Sequence, residues 1–415
     1  MTRTSVISYT ACWLIGLKSC WYRWRLPLVS RILAQGNLPF YKPGFFKKQS
    51  LILRTRIQTL DGLRFLAALG VLWIHAWTIH GNPRYYIGRL DIASVLAIGG
   101  NGVDLFFVIS GFCMYYFYGS KTIFTPADFY RFLIKRWVRL SPAFYTAALI
   151  YLLYNIFAGH QHANIPANIS TSIFYLNSIF PQFNIAPHFW TLGVEWQFYL
   201  IIPILLMYQC RAGFDKIFFY LFGALFLSAL VSVMVFKAHF DLLTDQLIFR
   251  GVEFGAGVYV ARLLLKDIFY LKKRKLWLPA FILLSYAGRV LISKPVLALS
   301  ADFYNVFKLF GFTLLSSGFA GILYLSLTSA KWLKLILGSR LLTTMGRISY
   351  SFYLWHAMLV PVIAGFTVKY FPFINGILAP VMTTCLCAII LFPIAGISFA
   401  FLEKPFLSFG NLTKK

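Results

Sequence analysis

Ten apolar runs, each long enough to cross a bilayer as a helix, follow one another from about residue 60 to 402. A hydrocarbon core about 30 Å thick takes roughly 20 residues per helical crossing, and lipid admits only segments whose backbone groups are satisfied internally. The runs lie near 60–80, 92–118, 140–158, 189–208, 217–236, 247–265, 276–293, 305–328, 349–368 and 377–402. They predict an all-α polytopic membrane protein of about ten transmembrane helices. With 59% of its residues hydrophobic and only 12% charged, the chain carries more apolar side chain than a soluble core absorbs.

The basic residues orient these runs. If residues 1–59 are cytoplasmic, the loops on that side (1–59, 119–139, 209–216, 262–275, 331–347 and 403–415) hold thirty Lys and Arg. The opposite loops hold six: Arg84, Arg89, Lys237, Arg289, Lys294 and Lys369. The positive-inside rule then puts both termini in the cytoplasm. The expected organisation is a basic leader over 1–59 with a surface-lying amphipathic segment, a membrane domain over 60–402 and a short tail over 403–415. A net charge of +27 distributed in this way serves topology, and no nucleic-acid partner is expected. The six cysteines and seven histidines show no zinc-type spacing, so neither disulfides nor a metal nor a resident cofactor are expected. The longest outer loop, 159–188, has no Lys or Arg; it reads as a solvated loop, with His160 and His162 in water, or as the wall of a sugar site.

Charges inside the runs are the functional signal, because a carboxylate or guanidinium in hydrocarbon is costly unless it lines a polar cavity. Asp104 falls midway along the second run, Glu195 two turns below the outer end of the fourth, and Arg250 and Glu253 one turn apart on the sixth. His75 and His356 add two imidazoles, on the first and ninth. Arg64 and His75 are eleven residues apart in LDGLRFLAALGVLWIH. That is three helical turns, so both project from one face about 16 Å apart along the axis. A guanidinium near the inner surface suits a phosphate arriving from the cytoplasm, and an imidazole is the natural proton acceptor near neutral pH. Arg136 and Arg139 in RWVRLSP, and Arg347 in MGRISY, complete a basic inner face able to bind a nucleotide-like donor.

Six segments in order give the chain a specific resemblance: the Arg64–His75 segment, GVDLFFVISGF at 102–112, RWVRLSPAFY at 136–145, HFWTLGVEWQFYLIIP at 188–203, RGVEFGAGVYVA at 250–261, and RISYSFYLWH at 347–356 with FLEKPF at 401–406. Together they resemble membrane-bound acyltransferase family 3, the O-acyltransferases of bacterial surface polysaccharides. The resemblance implies ten core helices in the bacterial inner membrane, an acyl-CoA co-substrate (usually acetyl-CoA) on the cytoplasmic side and a carbohydrate hydroxyl as acceptor. It also implies that His75 and Arg64 are essential and that Glu195 and Arg139 matter. Trp196 follows Glu195 where many members carry a second acidic residue. No hydrolase-like C-terminal domain follows Leu402, so transfer is expected to be direct or to pass through a separate external partner.

The resulting expectation makes His75 the base, assisted by Glu195, with Arg64, Arg136, Arg139 and Arg347 on the donor phosphates. Asp104, Arg250, Glu253 and His356 shape the cavity or hold the sugar, and Trp190, Trp196 and Tyr199 offer stacking faces. Ser110 shows no base beside it in sequence, which favours direct transfer over an acyl-serine. A transporter or flippase for a polar lipid or small solute is the rival reading of buried charge, but inverted repeats and matching broken helices are not evident.

Overall fold

The computed structural model describes residues 56–84, 86–87, 90–91, 100–120, 123–159, 164–235, 243–266, 274–292, 301–328 and 331–407. All but four of the leader residues 1–59, together with His160 and His162, lie outside this set. The described residues form thirteen α-helices in order: α1 Gln58–Ile79, α2 Gly102–Tyr118, α3 Pro126–Phe157, α4 Ile165–Ile173, α5 Trp190–Ala212, α6 Phe214–Val235, α7 Leu247–Lys266, α8 Arg274–Ile292, α9 Ala301–Thr328, α10 Lys331–Leu337, α11 Arg340–Arg347, α12 Ser349–Tyr370 and α13 Leu378–Ser398. A two-residue antiparallel ladder, Tyr86–Ile87 with Leu90–Asp91, forms the turn after α1.

The protein is an all-α, multi-pass membrane protein. Among the described residues seven helices (α1, α3, α5, α6, α9, α12 and α13) are long and apolar enough to cross a membrane, and α2 and α8 are shorter apolar helices. The remaining expected run, the sixth in order, is α7, which has the length but carries Arg250, Glu253, Arg262 and Lys266. It packs against α2, α5, α6 and α9 instead of facing lipid along its length. Gly111 of α2 meets the Phe254 backbone, and Gly257 of α7 meets the backbone of Val108 and Phe112. A Cβ at either position would overlap main chain, so these glycines let two polar-bearing helices approach closely.

Three boundaries differ from the sequence expectation. α3 begins at Pro126, not near residue 140, because Thr125 and Asp128 form a capping box ahead of a proline at the first turn. Arg131, Lys135, Arg136 and Arg139 are therefore helical and not in a loop. α2 begins at Gly102, which puts Asp104 in a first turn rather than midway along a span. α13 continues through a π-turn, Phe399–Glu403, to Leu407. Glu403 is buried there and accepts a hydrogen bond from Ser351, tying the expected tail to α12.

The segment 164–189 departs furthest from a solvated loop. α4 runs back along α3, so that Ile173 accepts from the Tyr145 hydroxyl at 2.9 Å and the Tyr175 hydroxyl meets Ser141 Oγ at 2.9 Å. The chain then returns, and Asn155 donates to the Ile185 carbonyl at 2.9 Å. Ser141 and Asn155 are about 21 Å apart along the helix, so the segment dips deep into the bundle. Non-helical backbone survives at that depth only when its carbonyls are satisfied by protein. Here Gln246 donates to Ser178, Asn168 to Phe183 at 3.0 Å and Tyr353 to His188 at 2.8 Å.

Candidate functional site

α1 spaces the two chemical ends of the site. Arg64 is held by buried Asp61 one turn earlier at 3.3 Å and reaches across to Cys113 Sγ on α2 at 3.1 Å. Arg136 on α3 donates to the Tyr118 hydroxyl at 3.3 Å, and its guanidinium lies over the Phe132 and Tyr118 rings at 5.5 and 5.8 Å. Arg139, one turn on, is exposed and lies within electrostatic reach of Arg136, Arg64, Tyr199 and Glu403. Among the described residues no carboxylate comes within ion-pair distance of Arg136 or Arg139. Two guanidinium groups without an ion-pair partner make this end of the bundle cationic. Arg347 closes α11, at the same end of the bundle as the start of α1, and is exposed with no contact to the other three.

Glu195 stands with this end. Its Oε1 accepts from Ser110 Oγ on α2 at 2.9 Å and from the Tyr199 hydroxyl one turn along α5. Ser110 therefore has a carboxylate beside it, contrary to the reading of the sequence; the pair is 85 residues apart in the chain and no local pattern announces it. Glu195 has no contact with His75. Tyr199 is buried against Phe132, Trp196 and Phe198, which leaves its ring no open face for a sugar.

Three histidines gather at the other end of α1. His75 is partly exposed, and its ring centroid is 4.9 Å from that of His356. His356 is in turn 4.9 Å from His188, two residues before α5. His188 and His356 are both buried, at 3% and 1% exposure. His356 Nδ1 donates to the Tyr353 carbonyl and His188 Nε2 to the Leu354 carbonyl at 3.2 Å. The remaining nitrogens, His356 Nε2 and His188 Nδ1, are buried without a hydrogen-bond partner. Among the described residues no group of three His, Cys, Asp or Glu is arranged to hold a metal ion.

Asp104, Arg250 and Glu253 form a separate cluster. Arg250 Nη1 donates to Asp104 Oδ1 at 2.8 Å and to Glu253 Oε1 at 2.9 Å, while Nε donates to the Thr244 carbonyl at 3.0 Å. Its guanidinium lies 4.1 Å from the Phe312 ring centroid and 5.2 Å from that of Trp190. Asn101 donates to the second Asp104 oxygen at 3.0 Å. All three ionic groups are buried, so the cluster joins α2 to α7 and presents little surface to a substrate.

An acyltransferase-domain family model, acyltransferase 3, matches residues 57–398 of this chain. The chain belongs to the acyltransferase-3 family. The O-acetyltransferase OatA of Staphylococcus aureus (strain NCTC 8325 / PS 47) is 25% identical over 388 residues, covering 86% of this chain and 59% of that protein. OatA of strain COL matches equally, and a second strain COL protein, provisionally named an O-acetyltransferase, is 26% identical over 392 residues, 85% of this chain and 58% of its own. The chain thus spans about 59% of the length of the first of these curated relatives. No solved structure gives a significant match.

For an acyltransferase-3 chain, the arrangement separates a cationic end from an imidazole end along one helix. Sequence reasoning missed His188, Asp61 and the Ser110–Glu195 pair. His188 sits inside the HFWTLGVEWQF segment that carried the resemblance, and a histidine adjoining an apolar run was the available signal.

Proposed function

We propose that this protein is a membrane O-acyltransferase that moves an acyl group from acyl-CoA to a hydroxyl of a carbohydrate, such as a bacterial surface polysaccharide or its lipid-linked precursor. The observation that carries the reading is the placement of His75 on the same face of α1 as Arg64, with Arg136 and Arg139 gathered at the Arg64 end. The spacing of about 16 Å along α1 is comparable to an extended acyl-pantetheine arm. In this reading the donor's phosphates sit on Arg64, Arg136 and Arg139, with Arg347 adding charge at that end. The thioester then lies near His75.

His75 takes the proton of the acceptor hydroxyl as the oxygen attacks the thioester carbonyl. The tetrahedral intermediate collapses with loss of the CoA sulfur, and the proton held by His75 passes to it. One C–O bond forms and one C–S bond breaks, giving an ester and free CoA. Acetyl is the acyl group suggested by the names of the relatives. The distribution of Lys and Arg supports a cytoplasmic Arg64 end, both termini inside and residence in the bacterial inner membrane. Resident cofactors and metals have no place in this scheme; a separate external protein that receives the acyl group is compatible with it.

The test is transfer of label from radiolabelled acetyl-CoA to a surface glycan by the purified protein in detergent. Labelled glycan supports the reading. Absence of both acetyl-CoA binding and transfer in folded protein favours a transporter of a polar solute instead.

A further inference from the structure

The His356 ring, packed against that of His75, holds a buried lone pair with nothing to accept. A carbonyl oxygen can only accept, so the His356 Nδ1 that contacts the Tyr353 carbonyl carries the ring hydrogen. In the neutral ring Nε2 is then a lone pair, and it is buried without a donor. An unmatched buried acceptor is costly enough that native structures nearly always supply a partner. The neighbouring phenols cannot supply one. Tyr353 gives its hydrogen to the His188 carbonyl at 2.8 Å, and Tyr151 gives its own to the Leu354 carbonyl at 3.0 Å. Of the three rings in contact with His356, those of Tyr353, His188 and His75, only His75 is left to donate, 4.9 Å away between centroids. Glu195, the carboxylate expected to orient His75, is committed to Ser110 and Tyr199.

We propose that His356 is the positioning residue of His75. Its Nε2 accepts the His75 N–H, which fixes the tautomer of His75 and turns the other His75 nitrogen, as a lone pair, toward the acceptor hydroxyl. His188 packs against His356 and holds its ring in place. The Tyr353 and Leu354 carbonyls set both buried rings, so this end of the site is built around one turn of α12. The inference rests on His75 being the base, and its test separates the two claims.

Initial rates are measured with radiolabelled acetyl-CoA for the wild type, His75→Ala, His356→Gln, His356→Asn and His356→Leu, each checked for a monodisperse peak. Gln places an acceptor near the position of Nε2, whereas Asn places a donor near Nδ1 and keeps only the tie to Tyr353. Asn and Leu are expected to lower kcat about 10- to 100-fold, as loss of an orienting partner does, and Gln to recover much of it. KM for acetyl-CoA and for the glycan should stay within about twofold, since no ground-state contact is lost. Asn as active as wild type, or Gln no better than Asn, overturns the proposal; so does a rise in KM at unchanged kcat. If Leu does not fold, the Gln and Asn pair decides alone. An active His75→Ala refutes the base itself, whatever the His356 variants do.

Discussion

Ser110 on α2 donates a 2.9 Å hydrogen bond to Glu195 on α5, and Tyr199 donates to the same carboxylate oxygen. The carboxylate is thus a fixed acceptor at the arginine end, held by Ser110, which is one turn along α2 from the Cys113 that Arg64 contacts. Direct transfer gives Ser110 no covalent role, so Ser110→Ala should cost no more than about 10- to 100-fold in kcat, the scale of one hydrogen bond to a charged group. A loss near a million-fold, as follows removal of a nucleophile, together with an acyl-serine trapped from labelled acetyl-CoA and found by peptide mass spectrometry, would reverse that assignment.

Arg136 and Arg139 supply cationic charge that no carboxylate among the described residues pairs at close range. Replacing either with Ala should raise KM for acetyl-CoA by about 10- to 100-fold with a smaller effect on kcat, as expected for a charge-assisted phosphate contact. Lys at either position should recover part of the affinity, since it keeps the charge but not the planar fork. Steady-state kinetics at two salt concentrations checks this, and the wild type should lose more affinity to salt than the variants.

The Asp104–Arg250–Glu253 cluster predicts a stability effect instead. Arg250→Ala leaves two carboxylates buried without their cation and should cost about 3–5 kcal/mol. Adding Asp104→Asn and Glu253→Gln to that variant should restore much of the loss. Fluorescence-detected thermal unfolding in detergent measures both; an unchanged midpoint in Arg250→Ala would mean that the cluster does not join α2 to α7.

The α2–α7 approach gives a fourth expectation. Gly257→Ala puts a methyl group against the backbone of Val108 and Phe112, and Gly111→Ala puts one against Phe254. Each should destabilise by about 1–3 kcal/mol, the usual cost of overpacking, while Gly223→Ala, where a Cβ meets nothing, should be neutral.

The helices were legible because lipid imposes length and apolarity on each crossing, and each of the ten expected runs contains a helix among the described residues. α3 was misread at its start because the basic residues from Arg131 to Arg139 look like a loop, although Thr125, Pro126 and Asp128 are a helix-start signature. The dip at 164–189 was illegible for a different reason. Its Asn, Ser and Pro residues look solvated, and only distant partners such as Tyr145, Gln246 and Tyr353 satisfy its carbonyls. Within the site, Arg64 and His75 were readable from helical spacing on one element. His75, His188 and His356 come together from three elements, and local spacing carries no information about such a meeting.

The division of labour along α1 is tested most directly by acetyl-CoA binding and single-turnover transfer in His75→Ala and Arg64→Ala, alongside the wild type. The account predicts that His75→Ala binds acetyl-CoA with wild-type affinity and transfers nothing, while Arg64→Ala binds it weakly and regains transfer as acetyl-CoA is raised. Transfer by His75→Ala at the wild-type rate, or unchanged acetyl-CoA affinity in Arg64→Ala, would contradict it.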